Sequence, residues 1–216
     1  LEKMTPDGFV RASYLQLGAE SGRMSCIKPN NQQIPRDSEF RQCVEAPDGW
    51  VLVDSDFGQM ELRLAAAIAK DERMTKAFQD GEDLHSVTAE NAQLAESSKG
   101  NKWADVRVPL SDMRRYLPGD MNRLTVRCNT PIQGAGAAIL KCALGNLWPL
   151  LQEAGEDEVK LAACVHDEIL LLVREPKANE WAARLKQVME SAEAMWLGNV
   201  PPLAEPQVGK RWSEIH

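Results

Sequence analysis

The sequence predicts an α/β (α+β) fold in which a small antiparallel sheet is backed by helices. Residues 51–63 pass from an apolar, β-branched run into a helical pattern that begins at about Gln59. Residues 161–173 are two apolar runs around the triplet His166-Asp167-Glu168, without proline or glycine. The valine-rich flanks favour a β-hairpin with the acids at its tip, and a single hydrophobic helix is the alternative.

Acidic residues follow the apolar run at residues 51–53. Asp54 and Asp56 stand at its end, and such acids are costly to bury unless they are paired or bind a metal. Either could instead cap the helix that follows. If the fold brings Asp56 and Asp167 to neighbouring strand ends, the two carboxylates could hold two Mg²⁺ ions. Hard oxygen ligands without clustered Cys or His favour Mg²⁺ or Mn²⁺ over zinc.

Composition allows one domain with a real core. The chain has 216 residues, of which 44% are hydrophobic, and we find no apolar run of about 18 residues and no signal-peptide pattern. The five cysteines are scattered, which is typical of reduced thiols in a cytoplasmic protein. The start at Leu1 indicates a fragment or a processed chain.

Net charge gives a conflicting indication about partners. The formal charge of −7 argues, taken alone, against a nucleic-acid binder. The location of the basic side chains matters more than the total, however. Acids concentrate in residues 153–158 and 175–194, whereas a basic group is formed by Arg114, Arg115, Arg123 and Arg127.

Five segments together resemble family A DNA polymerases, the relatives of bacterial DNA polymerase I. Residues 56–63, Asp-Phe-Gly-Gln-Met-Glu-Leu-Arg, resemble motif A, and His166-Asp167-Glu168 resembles motif C. Residues 129–134, Asn-Thr-Pro-Ile-Gln-Gly, are similar to the segment that precedes motif C. Residues 21–25 and 29–35 are similar to the segment that contacts the minor groove and the primer. Their order along the chain makes the resemblance specific.

The resemblance implies a polymerase palm that transfers deoxynucleotides to a primer 3′-hydroxyl by a two-metal mechanism. It implies two Mg²⁺ ions, or Mn²⁺, that activate the 3′-hydroxyl and stabilise the pyrophosphate leaving group. The catalytic residues would be Asp56, Asp167 and Glu168, and the metal ligands Asp56, Phe57 and Asp167. Asp54 is assigned to structure or to a supporting position behind the ligands.

The resemblance also implies contacts to substrates. Gln59, Glu61 and His85 would bind the nucleotide, with Glu61 favouring deoxynucleotides. The residues expected to contact DNA are Arg23, Asn30, Gln32, Asn129, Gln133 and His166. Each has an ordinary alternative: Glu61 suits a helix start through the helix dipole, His85 suits a surface turn, and residues 21–35 suit a polar loop.

The chain departs from the family pattern in three places. Gly58 stands where the family usually has Ser, and Thr125 stands where it usually has Arg. Motif B, the fingers helix whose Lys and Arg bind the triphosphate, should follow Glu90 but is missing. The explanations are a natural deletion, an engineered deletion, or a segment left out of this sequence.

The predicted organisation has four parts. Residues 1–45 connect thumb to palm with duplex contacts, 46–90 carry motif A and the following helices, 91–120 are a remnant around the missing fingers, and 121–216 carry motif C and a C-terminal helix. The expected partners are primer–template DNA and deoxynucleoside triphosphates, with a monomer and no membrane. A non-catalytic duplex-binding palm fragment is the alternative, because the triphosphate-binding helix is absent; a metal-dependent nuclease does not explain the upstream segments.

Three further elements are predicted. Residues 122–151 indicate two helical stretches broken near Pro131. Residues 179–196 form an amphipathic helix with a core-facing stripe. Residues 200–208 are typical of a final edge strand.

Overall fold

A computed structural model of the chain describes residues 4–35, 39–81, 103–108, 110–111, 113–118 and 124–215. The helices are α1 Glu39–Gln42, α2 Met60–Ala69, α3 Glu72–Gln79, α4 Leu124–Ala154 and α5 Ala178–Leu197. The strands are β1 Ser13–Leu15, β2 Ser25–Ile27, β3 Trp50–Phe57, β4 Trp103–Arg107, β5 Arg114–Pro118, β6 Val159–Val165, β7 Glu168–Arg174 and β8 Ala204–Gly209. Short 3₁₀ helices cover Asn31–Gln33, Glu175–Lys177 and Trp212–Glu214.

The predicted fold class is confirmed by the central sheet. Its four strands lie in the order β6-β7-β3-β8, and every pairing is antiparallel. The final strand β8 lies at an edge, as residues 200–208 predicted. Two small antiparallel pairs, β1-β2 and β4-β5, lie outside this sheet.

The two faces of the sheet meet different surroundings. Because side chains alternate along a strand, Val53 and Phe57 share one face of β3 and Leu52 the other. The first face joins the large core with α4 and α5, which includes Ile139, Leu147, Ile169, Leu171, Val173, Trp181, Leu185 and Met189. The second face joins a smaller core with Ala46, Leu170, Leu172, Trp212 and Ile215. The core stripe predicted for residues 179–196 is confirmed.

The prediction of two helices across residues 122–151 is wrong. A single helix, α4, runs through both Pro131 and Pro149. Proline removes one backbone hydrogen bond, but burial of one side chain per turn outweighs that loss. This stripe consists of Ala135, Ile139, Ala143, Leu147 and Leu151.

The same helix, α4, is apolar enough to be considered as a membrane-spanning segment. By length and composition, Val126–Ala154 could cross a membrane, and half of its most apolar window is buried within the protein. It packs against α5 and α2, so the core explains its hydrophobicity.

The predicted hairpin at residues 161–173 is confirmed, with its turn resolved. Val165 and Glu168 are register partners, so the turn consists of His166 and Asp167. His166 has a φ of 57°, in the left-handed region that tight hairpin turns require. Glu168 is therefore the first residue of β7 and lies behind the tip.

Candidate active site

The sheet register brings the predicted carboxylates together. In β3, Asp56 is the register partner of Glu168 on β7 and of Glu205 on β8. Asp167 directly precedes Glu168 in the hairpin turn. The carboxylates of Asp56 and Asp167 therefore lie at the same end of adjacent strands, and both residues are half-buried.

A helix-capping role for Asp54 or Asp56 is wrong. β3 continues to Phe57, and the N-cap residue of α2 is Gln59, with a φ of 54°. Asp56 thus lies within β3, and the alternation of side chains along the strand decides the face of the sheet to which its side chain points. Glu61 lies in the first turn of α2, as predicted.

A small cleft lies beside the hairpin turn. Four predicted site residues line it: Arg23, Gln32, His166 and Asp167. The rest of the lining comes from Met24, Met60, Gly136, Ala137 and Leu140. Residues from the N-terminal segment, α2, α4 and the hairpin thus converge on one space.

The helix α4 extends this cleft with a polar row. Asn129 and Gln133 precede Ala137 by two turns and one turn, so the three residues share a helix face. Asn129 is exposed and Gln133 is half-buried. Because the helix persists through Pro131, both predicted DNA contacts continue the surface that borders the cleft.

Arg23 and Glu61 contact each other across the cleft entrance. The distance from Arg23 Nη2 to Glu61 Oε1 is 2.5 Å, and both side chains are largely exposed. Such an ion pair contributes little to stability, about 0–1 kcal/mol. This ion pair can therefore open at little cost in stability.

The segment that carries Arg23 is fixed against α4. Lys141 Nζ donates to the carbonyl oxygen of Gly22 at 2.7 Å. Burial lowers the pKa of Lys141. Gly22 directly precedes Arg23, so this hydrogen bond sets the distance between the N-terminal segment and α4.

Asn30 and Gln32 have different surroundings. The side chain of Asn30 accepts from the backbone N–H of Gln32 at 3.1 Å and so caps the 3₁₀ helix Asn31–Gln33. Gln32 itself lines the cleft. The predicted DNA contact of Asn30 stays a prediction, since its side-chain oxygen already has this structural role.

Glu168 lies in a buried charged cluster, formed with Asp54, Arg41 and Trp212, on the second face of the sheet. Glu168 is 1% exposed. Its side chain accepts from Trp212 Nε1 at 2.8 Å and lies 3.9 Å from Arg41 Nη2. The guanidinium of Arg41 also stacks on the Trp212 ring at 4.1 Å. This geometry favours a supporting role for Glu168, and its catalytic role stays a prediction.

Asp54 belongs to the same cluster. Burial, followed by the neighbouring carboxylates of Glu168 and Asp56, raises the pKa of Asp54 to about 9. Burial and the neighbouring acids therefore favour the protonated form of Asp54. Its burial agrees with the supporting position assigned from the sequence.

The donor set at the strand ends suits a hard cation. Asp56 and Asp167 offer carboxylate oxygens, whereas the Phe57 ring is buried and only its backbone carbonyl could contribute. Within the described ranges, no group of three or more His, Cys, Asp and Glu side chains is placed to hold a metal.

Gly58 packs closely against Leu203. A Cβ at this position would lie 2.7 Å from Leu203 Cδ2 and 2.9 Å from Leu203 Cγ. Leu203 thus fills the space that a serine side chain would need, which gives this departure from the family pattern a physical reason.

Several predicted residues lie outside the described ranges. They include His85, the predicted nucleotide contact, and the region around Glu90 where motif B should begin. The predicted role of His85 stays a prediction.

Comparison with protein families decides the relationship. The model of DNA polymerase family A matches residues 1–107 and 105–214, which together are nearly the whole chain. The chain belongs to DNA polymerase family A.

Curated relatives within family A are bacterial. The chain is 31% identical to DNA polymerase I of Aquifex aeolicus over 99% of its own length and 48% of that protein. It is 29% identical to DNA polymerase I of Pseudomonas aeruginosa, covering 31% of that protein, and 31% identical to DNA polymerase I of Streptococcus pneumoniae, covering 32%. The chain therefore spans between about a third and a half of the length of these relatives.

A solved structure shares the fold. The POL domain of Pol1 from M. smegmatis, in complex with DNA primer-template and dNTP, superposes with a TM-score of 0.77 at 23% identity. The match covers 99% of this chain and 50% of the solved one. At this identity the likeness establishes the fold alone.

The match to the family model is in two pieces, and the alignment with one relative contains gaps. The alignment with the Aquifex protein spans 280 positions, more than the 216 residues of the chain, so the relative has residues that this chain lacks. The family model likewise matches in two pieces that meet at residues 105–107. That junction lies after Glu90, the point at which motif B was expected to begin.

Sequence reasoning did not find several residues that support the site. Arg41, Lys141 and Trp212 carry no motif. Each acts through a contact distant in sequence, such as Trp212 with Glu168. Only the tertiary structure reveals these contacts.

Proposed function

We propose that the chain carries the palm of a DNA-directed DNA polymerase, which joins a deoxynucleotide to a primer 3′-hydroxyl. The new bond joins the primer oxygen to the α-phosphorus, and the bond to pyrophosphate breaks. One observation carries the proposal: Asp56 and Asp167 lie at adjacent strand ends beside a cleft lined by Arg23, Gln32 and His166. The names of the family A relatives support the same reaction.

Asp56, Asp167 and the Phe57 carbonyl would hold two Mg²⁺ ions, or Mn²⁺. Both carboxylates are half-buried and hard oxygen donors suit these cations. When bound, the ions supply activation of the 3′-hydroxyl and neutralise charge on the phosphates. Substrate phosphates and water would complete the ligand set, because the protein contributes few ligands.

The cleft surface would bind the primer–template. Arg23 and Gln32 border it from one side, and Asn129 and Gln133 continue it along α4. Arginine and amide side chains can read base acceptors in a minor groove. His166, exposed in the hairpin turn, would contact the primer beside Asp167.

Gln59 and Glu61 would form the nucleotide side of the site. Both are exposed at the start of α2, directly after the strand that carries Asp56. Glu61 would favour deoxynucleotides over ribonucleotides. For this step the Arg23–Glu61 ion pair would open.

A second candidate function is duplex binding without efficient catalysis. The gapped alignment and the two-piece family match favour it, because a relative has residues that this chain lacks. Motif B would have provided the Lys and Arg that neutralise the triphosphate. Loss of one such preorganised charge costs about 3–4 kcal/mol of transition-state stabilisation, which would leave faint activity despite an intact carboxylate site.

Primer extension on a labelled primer–template with Mg²⁺ tests the proposal. We expect extension that Asp56→Asn and Asp167→Asn each abolish, while Leu161→Ala, on an exposed position of β6, retains it. Extension that survives either carboxylate change would overturn the site assignment. Absence of extension by the unmodified chain, together with tight duplex binding measured by fluorescence anisotropy, would favour the second candidate.

The expected setting follows from the relatives. All three family A proteins described above are bacterial, and we propose a cytoplasmic monomer that acts on DNA in replication or repair. Analytical ultracentrifugation with and without primer–template would test the stoichiometry.

A further inference from the structure

The loop after Asp56 is held by buried charged side chains outside the motifs. Glu193 of α5 is fully buried and its Oε2 accepts from the backbone N–H of Leu203 at 3.0 Å. The carbonyl of Leu203 in turn accepts from the N–H of Gly58 at 2.8 Å. Glu193 is thus connected through one residue to the end of the strand that carries Asp56.

Arg63 completes this connection from the other side. Its Nε donates to the carbonyl of Gly58 at 2.7 Å, and its Nη1 donates to the carbonyl of Pro201 at 2.5 Å. The carboxylate of Glu193 acts electrostatically on Arg63, and the guanidinium stacks on Phe78 at 4.4 Å. Both backbone polar groups of Gly58 are therefore fixed.

Fixing the N–H of Gly58 also orients the carbonyl of Phe57. The two groups belong to one planar trans peptide, so they point in opposite directions. The Gly58 N–H points toward Leu203, just before β8, and β7 lies on the opposite side of β3. The Phe57 carbonyl consequently faces the side where β7 begins, next to Asp167.

We propose that Glu193 and Arg63 are positioning residues that aim the Phe57 carbonyl at the metal site. Glu193 sets the Leu203 backbone, Leu203 sets the Gly58 N–H, and Arg63 locks the Gly58 carbonyl. The inference rests on the proposed metal site, and it extends that site to a helix far from motifs A and C. Residues that orient ligands in this way influence metal affinity strongly.

The buried carboxylate has a measurable energetic signature. Burial is the main cause that raises the pKa of Glu193 to about 7, while the Leu203 N–H and Arg63 act in the opposite direction. Glu190 also acts to raise it. Retention of a carboxylate in so unfavourable an environment fits a specific task at this position.

Binding of Mn²⁺ to the full 216-residue chain, followed by electron paramagnetic resonance, tests the proposal. We expect Glu193→Ala to weaken Mn²⁺ binding about tenfold, because the Leu203 N–H loses its acceptor. Glu193→Gln keeps a carbonyl oxygen for that N–H and should restore wild-type affinity. Equal affinity in the wild type and a folded Glu193→Ala would overturn the proposal.

Glu180→Ala provides the matched control. Glu180 lies on the same helix, and its Oε2 accepts from Lys177 Nζ at 2.8 Å. The variant therefore removes a carboxylate from the helix without touching the Leu203–Gly58 connection. Loss of Mn²⁺ affinity in Glu180→Ala equal to that in Glu193→Ala would show a general structural effect and overturn the assignment.

Two further variants separate the possible failures. If Glu193→Ala does not fold, Arg63→Lys keeps the charge but not the two-carbonyl fork, and unchanged Mn²⁺ affinity there would overturn the proposal. Asp56→Asn reports on the proposed metal site itself. Weaker binding in Asp56→Asn but not in the positioning variants would reject only the positioning role, whereas no effect in Asp56→Asn would reject the metal site and this inference with it.

Discussion

The two faces of β3 have different roles. Side chains on one face stabilise the fold, and those on the other include the carboxylates of the candidate site. On the face toward α4 and α5, Val53 and Phe57 join a large apolar core. On the opposite face, Asp54 and Asp56 follow Leu52, and Asp54 shares its surroundings with Glu168. One strand thus anchors the sheet through one set of side chains and presents carboxylates through the other.

This difference explains why the strand can carry charged residues at its centre. The apolar face supplies the free energy of folding that offsets the desolvation of the acids. Changes on the apolar face should therefore lower stability most, whereas changes at the exposed end of the acidic face should lower activity with little effect on stability.

The largest expected effect lies on the apolar face. Leu171→Ala removes a fully buried side chain of β7 and should lower the free energy of unfolding by about 2–5 kcal/mol. Urea denaturation followed by circular dichroism measures the change. Leu161→Ala, at the register partner of Leu171 on β6 and at a position that is 41% exposed, serves as the control. An equal loss there would mean that burial of the side chain does not set the cost.

The buried charged cluster should be sensitive to single hydrogen bonds. Trp212→Phe removes the indole N–H that donates a hydrogen bond to Glu168. The change should lower the free energy of unfolding by about 1–3 kcal/mol. Trp148→Phe, at a position that is 57% exposed, should leave stability unchanged. Unchanged stability in Trp212→Phe would mean that the cluster does not depend on this donor.

The stability of the protein should depend on pH through Glu193, the buried acid of α5. Because its pKa is raised to about 7, the folded protein keeps a proton between pH 4.5 and pH 7 that the unfolded chain has lost. Its contribution to stability is therefore greatest below pH 4.5 and falls as pH rises to about 7. Glu193→Gln should remove this dependence.

Thermal unfolding of the wild type and of Glu193→Gln across that pH range checks the prediction. The stability of the variant relative to the wild type should increase as pH rises. A constant difference between pH 4.5 and pH 7 would show that Glu193 does not titrate with a raised pKa.

The smallest effect is expected at the cleft entrance. A double-mutant cycle with Arg23→Ala and Glu61→Ala should give a coupling energy of about 0–1 kcal/mol that decreases with salt. Urea denaturation at low and high salt measures it. A large coupling energy that salt does not weaken would mean that the pair is a structural lock and does not open for substrate.

Much of the fold followed from local patterns. The strand of motif A, the hairpin of motif C and the amphipathic helix at residues 178–197 were all evident from hydrophobic periodicity. The continuous helix through Pro131 was not predicted, because the local preference of proline carries no information about the buried stripe from Ala135 to Leu151. Tertiary packing overrides the local preference in such cases.

The site residues divide in the same way, between those that the sequence predicted and those that only the tertiary structure revealed. The resemblance to family A motifs pointed to Asp56 and Asp167 and to three residues that line the cleft, Arg23, Gln32 and His166. The contacts of Trp212 with Glu168 and of Glu193 with Leu203 depend on strand register and on helix packing. Single residues without a motif give no sequence signal for such contacts.

The central claim is that Asp56 and Asp167 act as one metal site, and Mn²⁺ binding to the Asp variants tests it most directly. Dissociation constants would be measured by electron paramagnetic resonance for the wild type, Asp56→Asn, Asp167→Asn and the double variant. The account predicts that each single change weakens binding strongly and that the two effects are not additive, since both residues serve one site. Full affinity in either single variant, or independent additive effects, would contradict it.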